Sequence, residues 1–190
     1  MPFLLVGAEA LLLLMAAGPV CLARTVVTDG SFEKGRFVNT DGNYMALADG
    51  STTIKGWTVS TASGSIVWAK SPTVDGVTAA QGKYCIDLTG FGRDAVNGAV
   101  SQVIHLKPGT SYGFSMDAGS FNDAPPVVTV NGQALALTPG TPFSVNGTSW
   151  TPLTGTIVGS TTTKTATLTI QNTTSGAQLV FIDNIAINTR

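Results

Sequence analysis

The strongest regularity along the chain is a two-residue alternation of apolar and polar positions. Tyr84, Ile86 and Leu88, then Tyr112, Phe114, Met116 and Ala118, then Ala166, Leu168 and Ile170 each present one apolar face, as half-buried strands do. Helical periodicity is essentially absent. Turn residues punctuate the runs: Asp49 with Gly50, Lys107 to Gly109, Asn131 with Gly132, Pro139 with Gly140, and Asn146 with Gly147. Asn131 and Gly132 separate two apolar stretches, 127–130 and 133–137, and predict a hairpin whose two-residue turn needs positive φ. Roughly ten strand candidates at this spacing predict an all-β fold, an antiparallel β-sandwich of jelly-roll topology. Residues 34–55 and 89–98 lack the alternation and read as surface loops.

Two short acidic motifs lie near the ends of this patterned region. Asp29, Gly30, Ser31, Phe32 and Glu33 precede it, and Phe181, Ile182, Asp183, Asn184 and Ile185 close it. Carboxylates beside a glycine turn at one end, and a carboxylate inside an apolar run at the other, suggest terminal strands meeting around a cation. A hard cation such as calcium takes about six to eight oxygens, often mixing carboxylates with exposed backbone carbonyls. Glu33 and Asp183 are the carboxylate candidates, with Asp29 as a further one. The alternative is that Asp29 shapes a turn while Asp183 and Asn184 hydrogen-bond loop backbone.

At 190 residues the chain suits one domain. Residues 1–23 read as a secretory signal peptide, with apolar residues from Phe3 to Leu22 and small or apolar residues before a cleavage point after Ala23. The alternative is a membrane anchor, since the run is about long enough to span a bilayer and no basic residue precedes it. The expectation is therefore a single β-sandwich over 24–190 that is secreted to the outside or the periplasm. Removing residues 1–23 deletes Glu9 and no basic residue, so the formal charge moves from -1 to zero. The ten Lys and Arg are scattered singly, which argues against nucleic acid and against membrane adsorption after signal cleavage. Cys85 is then the sole cysteine and excludes an internal disulfide. It sits on the opposite parity to Ile86 and Leu88, facing either a second buried layer or solvent. His105 is the only histidine, so neither a zinc site nor a serine-hydrolase triad is expected.

Taken in order, the landmarks are Asp29 to Glu33, Gly56 to Val59, Cys85 to Gly90, Ser101 with Gln102, Tyr112 to Ala118, Trp150, and Asp183 to Ile187. This succession resembles the bacterial choice-of-anchor C secreted proteins and the related plant cell-wall domain family of unknown function. Both are similar to the galactose-binding-like jelly rolls of many carbohydrate-binding modules. The resemblance implies a non-catalytic module that recognises a polysaccharide or cell-envelope glycan. It also implies a structural calcium at Glu33 and Asp183 joining first and last strands. Asp29 stands where Asn is more usual, one domain is present instead of the plant pair, and no sorting segment follows Arg190, which favours free secretion.

Sugar recognition needs exposed aromatic faces with nearby hydrogen-bonding groups. Trp68, flanked by Val67 and Ala69, is the expected exposed tryptophan, with Trp57 expected in the core and Trp150 between the two. Tyr44, Phe91, Arg93, Asp94, Phe121 and Asn122 fall in predicted loops, where binding residues gather. Asp87 and Asp117 sit on strands among apolar residues, either as polar-face groups or as core aspartates. A structural or adhesive matrix protein that binds other cell-surface proteins is the main alternative function, and a glycan-active enzyme using paired carboxylates is the least favoured.

Overall fold

The computed structural model describes residues 25–119, 125–160, 162–173 and 179–190. The strands are β1 (Tyr44–Leu47), β2 (Thr58–Ser60), β3 (Ile66–Lys70), β4 (Tyr84–Asp87), β5 (Ala99–His105), β6 (Ser111–Gly119) and β7 (Val127–Val130). They continue as β8 (Gln133–Ala134), β9 (Thr138–Pro139), β10 (Phe143–Val145), β11 (Thr148–Val158), β12 (Thr165–Gln171) and β13 (Phe181–Thr189). One turn of 3-10 helix, Phe91–Arg93, is the only helical element among the described residues.

Two antiparallel sheets result. The larger has eight strands in the order β1-β3-β4-β13-β6-β11-β10, with β9 also on β11, and the smaller has the order β2-β5-β12-β7-β8. The chain changes sheet between β1 and β2, β2 and β3, β4 and β5, β5 and β6, β6 and β7, β8 and β9, and again on either side of β12. That crossing pattern makes a jelly-roll sandwich rather than a meander. The alternating runs supply its core: Ile86, Phe114, Met116 and Ile182 of the larger sheet face Val100, Ile104, Leu168 and Ile170 of the smaller. The predicted hairpin is present as β7 and β8, with Asn131 at φ 50° and Gly132 at φ 75°.

A second apolar layer covers the outer face of the larger sheet. Val67, Ala69, Cys85, Trp150 and Phe181 point away from the main core and pack with Ala79. The 73–81 segment holds that cover in place: the Thr78 amide donates to Thr148 Oγ1 at 2.8 Å, and the Trp150 ring N–H donates to the Thr78 carbonyl at 3.0 Å. Of the two positions left open for Cys85, the buried layer is the one observed, and burial pushes its thiol well above the ordinary range.

The same double burial corrects the reading of Trp68. The residue is 1% exposed, and every position from Ile66 to Ala69 is buried. Trp68 pairs with Met45 and Ile86 in the inward register, packs against Phe37 and Tyr84, and donates its ring N–H to the Phe32 carbonyl at 3.1 Å. It is a core residue and offers no face to a sugar. Trp57 is buried as expected, and Trp150 is fully buried. Tyr44 also departs from the reading as a loop residue, because it opens β1 straight after the Asp41 to Asn43 turn.

Candidate functional site

Strand pairing decides which side chains share the outer face of the larger sheet. Tyr44 lies opposite Ala69, Val67 opposite Asp87, and Asp87 opposite Phe181, so Tyr44, Val67, Asp87 and Phe181 project on one side. The turn from Gly90 to Arg93 and the strand-connecting segment at Asp75 and Val77 rise around them. Together with Leu179 they enclose a cavity of about 350 Å³. Tyr44 and Phe91 form one wall as an edge-to-face pair with ring centroids 5.4 Å apart. Three of the sequence candidates, Tyr44, Phe91 and Arg93, thus meet in one place. Asp94 follows the turn and does not line the cavity, Trp68 lies beneath the sheet, and Phe121 and Asn122 lie outside the described residues.

The polar groups of the cavity have distinct states. The Tyr44 hydroxyl donates to Asp75 Oδ2 at 2.9 Å, and burial first, then the Asp75 carboxylate, push its pKa up to about 12. Asp87 is 6% exposed and accepts from the Thr89 amide at 2.8 Å and from the Thr89 hydroxyl. Burial raises its pKa to about 6, against the pull of Thr89, the Gly90 amide and the Arg93 guanidinium. The sequence pattern missed Asp75, Asp87 and Phe181 as neighbours of this site. One signal was present: Asp87 shares the parity of Cys85, which fixes both on the outer face once that face is known to be covered.

The two acidic motifs meet along β13 of the same sheet. The Val26 amide bonds the Ile187 carbonyl and the Ile185 amide bonds the Gly30 carbonyl, so the first described residues run along β13. A Cβ on Gly30 would overlap the Ile185 carbonyl oxygen, which explains the glycine. Asp29 is a turn cap: its two oxygens accept from the Glu33 and Lys34 amides at 2.9 and 3.0 Å. Glu33 Oε1 accepts from the Lys83 and Tyr84 amides, and a Cβ on Gly82 would collide with that carboxylate. Asp183 is fully buried, accepts from the Gln81 and Asn184 amides, and has its pKa raised to about 8 by burial and by the charges of Asp117 and Glu33. Asn184, at φ 52° in a bulge of β13, donates to Asp117 Oδ2 at 3.0 Å.

A fit test for a cation gives a divided answer. Asp29 and Asp183 each have both oxygens engaged by amides, and no group of three or more His, Cys, Asp or Glu among the described residues could hold a metal ion. Glu33, only half-buried, places a second carboxylate near the buried Asp183 and adds to the rise of its pKa, a pairing that a divalent cation would relieve. Asp87 and Asp117 both belong to the larger sheet. They flank β13 two strands apart and two residues out of step, a separation of about 12 Å from strand spacings.

A model of the carbohydrate-binding domain family CBM_4_9 matches residues 25–181, a span that includes every residue lining the cavity. The chain belongs to this family. Its membership speaks for a non-catalytic, sugar-recognising module. No curated protein matches the chain. Among solved structures it is similar to a CBM4 module, with 15% identity, a TM-score of 0.43, and 86% of this chain and 99% of that one covered. It is also similar to the CBM22-1 xylan-binding domain from Paenibacillus barcinonensis Xyn10C, with 15% identity, a TM-score of 0.42, and coverage of 77% and 92%. A third is TmCBM61, solved in complex with β-1,4-galactotriose, with 15% identity, a TM-score of 0.39, and coverage of 88% and 100%. No helix among the described residues is long and apolar enough to cross a membrane.

Proposed function

We propose that this protein is a secreted, non-catalytic module that binds a polysaccharide or cell-envelope glycan in the cavity beside Tyr44, Phe91 and Arg93. The observation that carries this reading is the convergence, in a carbohydrate-binding family member, of an aromatic pair, a guanidinium and a carboxylate around one depression. The aromatic wall suits the apolar side of a sugar ring, and Arg93 and Asp87 suit its hydroxyls. The leader-like residues 1–23 and the resemblance to choice-of-anchor C proteins support export. Calcium, held by Glu33 and Asp183 with backbone carbonyls, would stabilise the clasp between the ends of the domain. When bound it supplies positive charge to two carboxylates that otherwise repel each other.

The deciding experiment is affinity electrophoresis of the purified protein through gels containing xylan, β-1,4-galactan, mixed-linkage β-glucan or a cell-envelope glycan, with calcium present. Retardation by at least one polymer is expected, and it should be lost in the Tyr44→Ala, Phe91→Ala double variant while the melting temperature changes little. Retardation by none overturns the reading and turns attention to a protein partner.

A further inference from the structure

We propose that Asp87 determines sugar specificity in this cavity, accepting hydrogen bonds from ligand hydroxyls at its floor and excluding sugars that carry a carboxylate there. The inference rests on the glycan-binding reading above and says which group does the discriminating.

The geometry singles out Asp87 by elimination among the polar groups that line the cavity. The Tyr44 hydroxyl and Asp75 are bonded to each other, so the wall they form is largely satisfied within the protein. Asp87 and Arg93 remain, an acceptor and a donor on opposite sides of the Gly90 turn. A sugar hydroxyl both donates and accepts, and a neighbouring hydroxyl pair can engage both groups at once. Asp87 sits at the floor between Val67 and Phe181, its cross-strand partners on β3 and β4's other neighbour β13. Both are apolar, so a ligand reaching the floor meets this one carboxylate. Thr89 and Gly90 supply three donors to Asp87, and a carboxylate has about four acceptor positions. Capacity for a ligand hydroxyl is therefore left.

The charges that face Asp87 set the direction of the effect. Arg93 comes from the turn, Asp75 from the segment after β3, Tyr44 from β1, and Cys85 from β4 itself; the Tyr44 and Cys85 groups stay protonated because their pKa values are raised. With two carboxylates against one guanidinium, a uronic acid placed at the floor meets net repulsion. The same balance makes binding of a neutral sugar depend on acidity. Ionised Asp87 is the stronger acceptor, so affinity is full above its pKa of about 6 and falls as the pH drops through it. At pH 5 about one Asp87 in ten is ionised, which lowers affinity roughly tenfold relative to pH 7.5.

The test is titration calorimetry with soluble xylan, β-1,4-galactan and mixed-linkage β-glucan at pH 5 and pH 7.5, with the α-1,4-linked polygalacturonate as the acidic polymer and its methyl ester as the neutral control of the same linkage. The expected result is a roughly tenfold loss for the bound neutral polymer at pH 5, with polygalacturonate binding much more weakly than its methyl ester at pH 7.5. Asp87→Asn, whose amide oxygen can still accept from Thr89, should bind more weakly at pH 7.5 with no pH dependence. Arg93→Gln keeps Asp87 and should move the midpoint of the pH profile upward. A flat profile in the unaltered protein, an Asp87→Asn variant that keeps the slope, or tight polygalacturonate binding overturns the assignment while leaving glycan binding intact. Binding of none of the three neutral polymers at pH 7.5 overturns the glycan reading and this assignment with it.

Discussion

Asp183 makes the stability of the metal-free domain depend on pH in an unusual direction. Its carboxyl is fully buried, and burial together with the Asp117 and Glu33 charges raises its folded-state pKa to about 8 from an ordinary value of 3.8. A raised folded-state value means that the native protein holds the proton more tightly than the unfolded chain. That contribution is fully present below pH 3.8 and is lost as the pH rises through 8. Within this window one proton is taken up on folding, so each pH unit removes up to about 1.4 kcal/mol. Between pH 5 and pH 8 the loss from Asp183 is at most ~4 kcal/mol. For a domain of this size that corresponds to a fall in melting temperature on the order of 10 °C. Asp87, raised to about 6, adds loss of the same sign but chiefly below pH 7.

The assay is thermal unfolding in EDTA-treated buffer at half-unit steps from pH 5 to pH 8. The melting temperature should fall throughout, and Asp183→Asn should abolish most of the fall above pH 6.5, from a lower starting value because its single amide oxygen can accept from only one of the Gln81 and Asn184 amides. Calcium needs ionised ligands, so if it occupies the Glu33 and Asp183 clasp it should raise the melting temperature more at pH 8 than at pH 5. Metal-free stability that is flat or rises with pH would refute the account of Asp183. A calcium effect that is absent at pH 8 would refute the clasp as a metal site.

Three further outcomes test the packing. Gly30→Ala forces a methyl group into the Ile185 carbonyl, and chemical denaturation should show destabilisation of about 3 kcal/mol or more, with the first described residues released from β13. Trp68→Ala should cost about 3–5 kcal/mol in the same assay, because the ring is buried and its N–H holds the Phe32 carbonyl, whereas Phe91→Ala at the cavity wall should weaken glycan retention with little loss of stability. The Cys85 thiol should resist a thiol reagent in the native protein and react stoichiometrically in denaturant, since burial disfavours the thiolate.

The fold was legible because alternation is a local signal, and β4, β6 and β12 display it plainly. Alternation reports a strand with one wet face, however, and β3 has none: Ile66 to Ala69 are buried on both sides. In such a strand the sequence says nothing about which parity faces which layer, so Trp68 and its neighbours Val67 and Ala69 could not be sorted. The Asp29 to Glu33 motif was legible as a junction, since its glycine and carboxylates answer to contacts with β13 and the Gly82 turn. Its division of labour was not, because only the fold shows Asp29 spending both oxygens on amides.

The candidate site lies between these extremes. Phe91 and Arg93 are close in sequence and mark a loop by themselves, but Tyr44, Asp75, Asp87 and Phe181 come from four separate stretches and meet only through the pairing of β1, β3, β4 and β13. The covering segment at 73–81 is what turns part of a flat outer face into a depression with walls. It buries Cys85 and Trp150 on one side and leaves Asp87 at an apolar floor on the other. A carboxylate so placed is poorly solvated as an anion, and the group that compensates it must come from the protein or from a ligand. Arg93 supplies part of that compensation without eliminating the shift, which is why the cavity reads as a place where sugar hydroxyls complete the hydrogen bonding of Asp87.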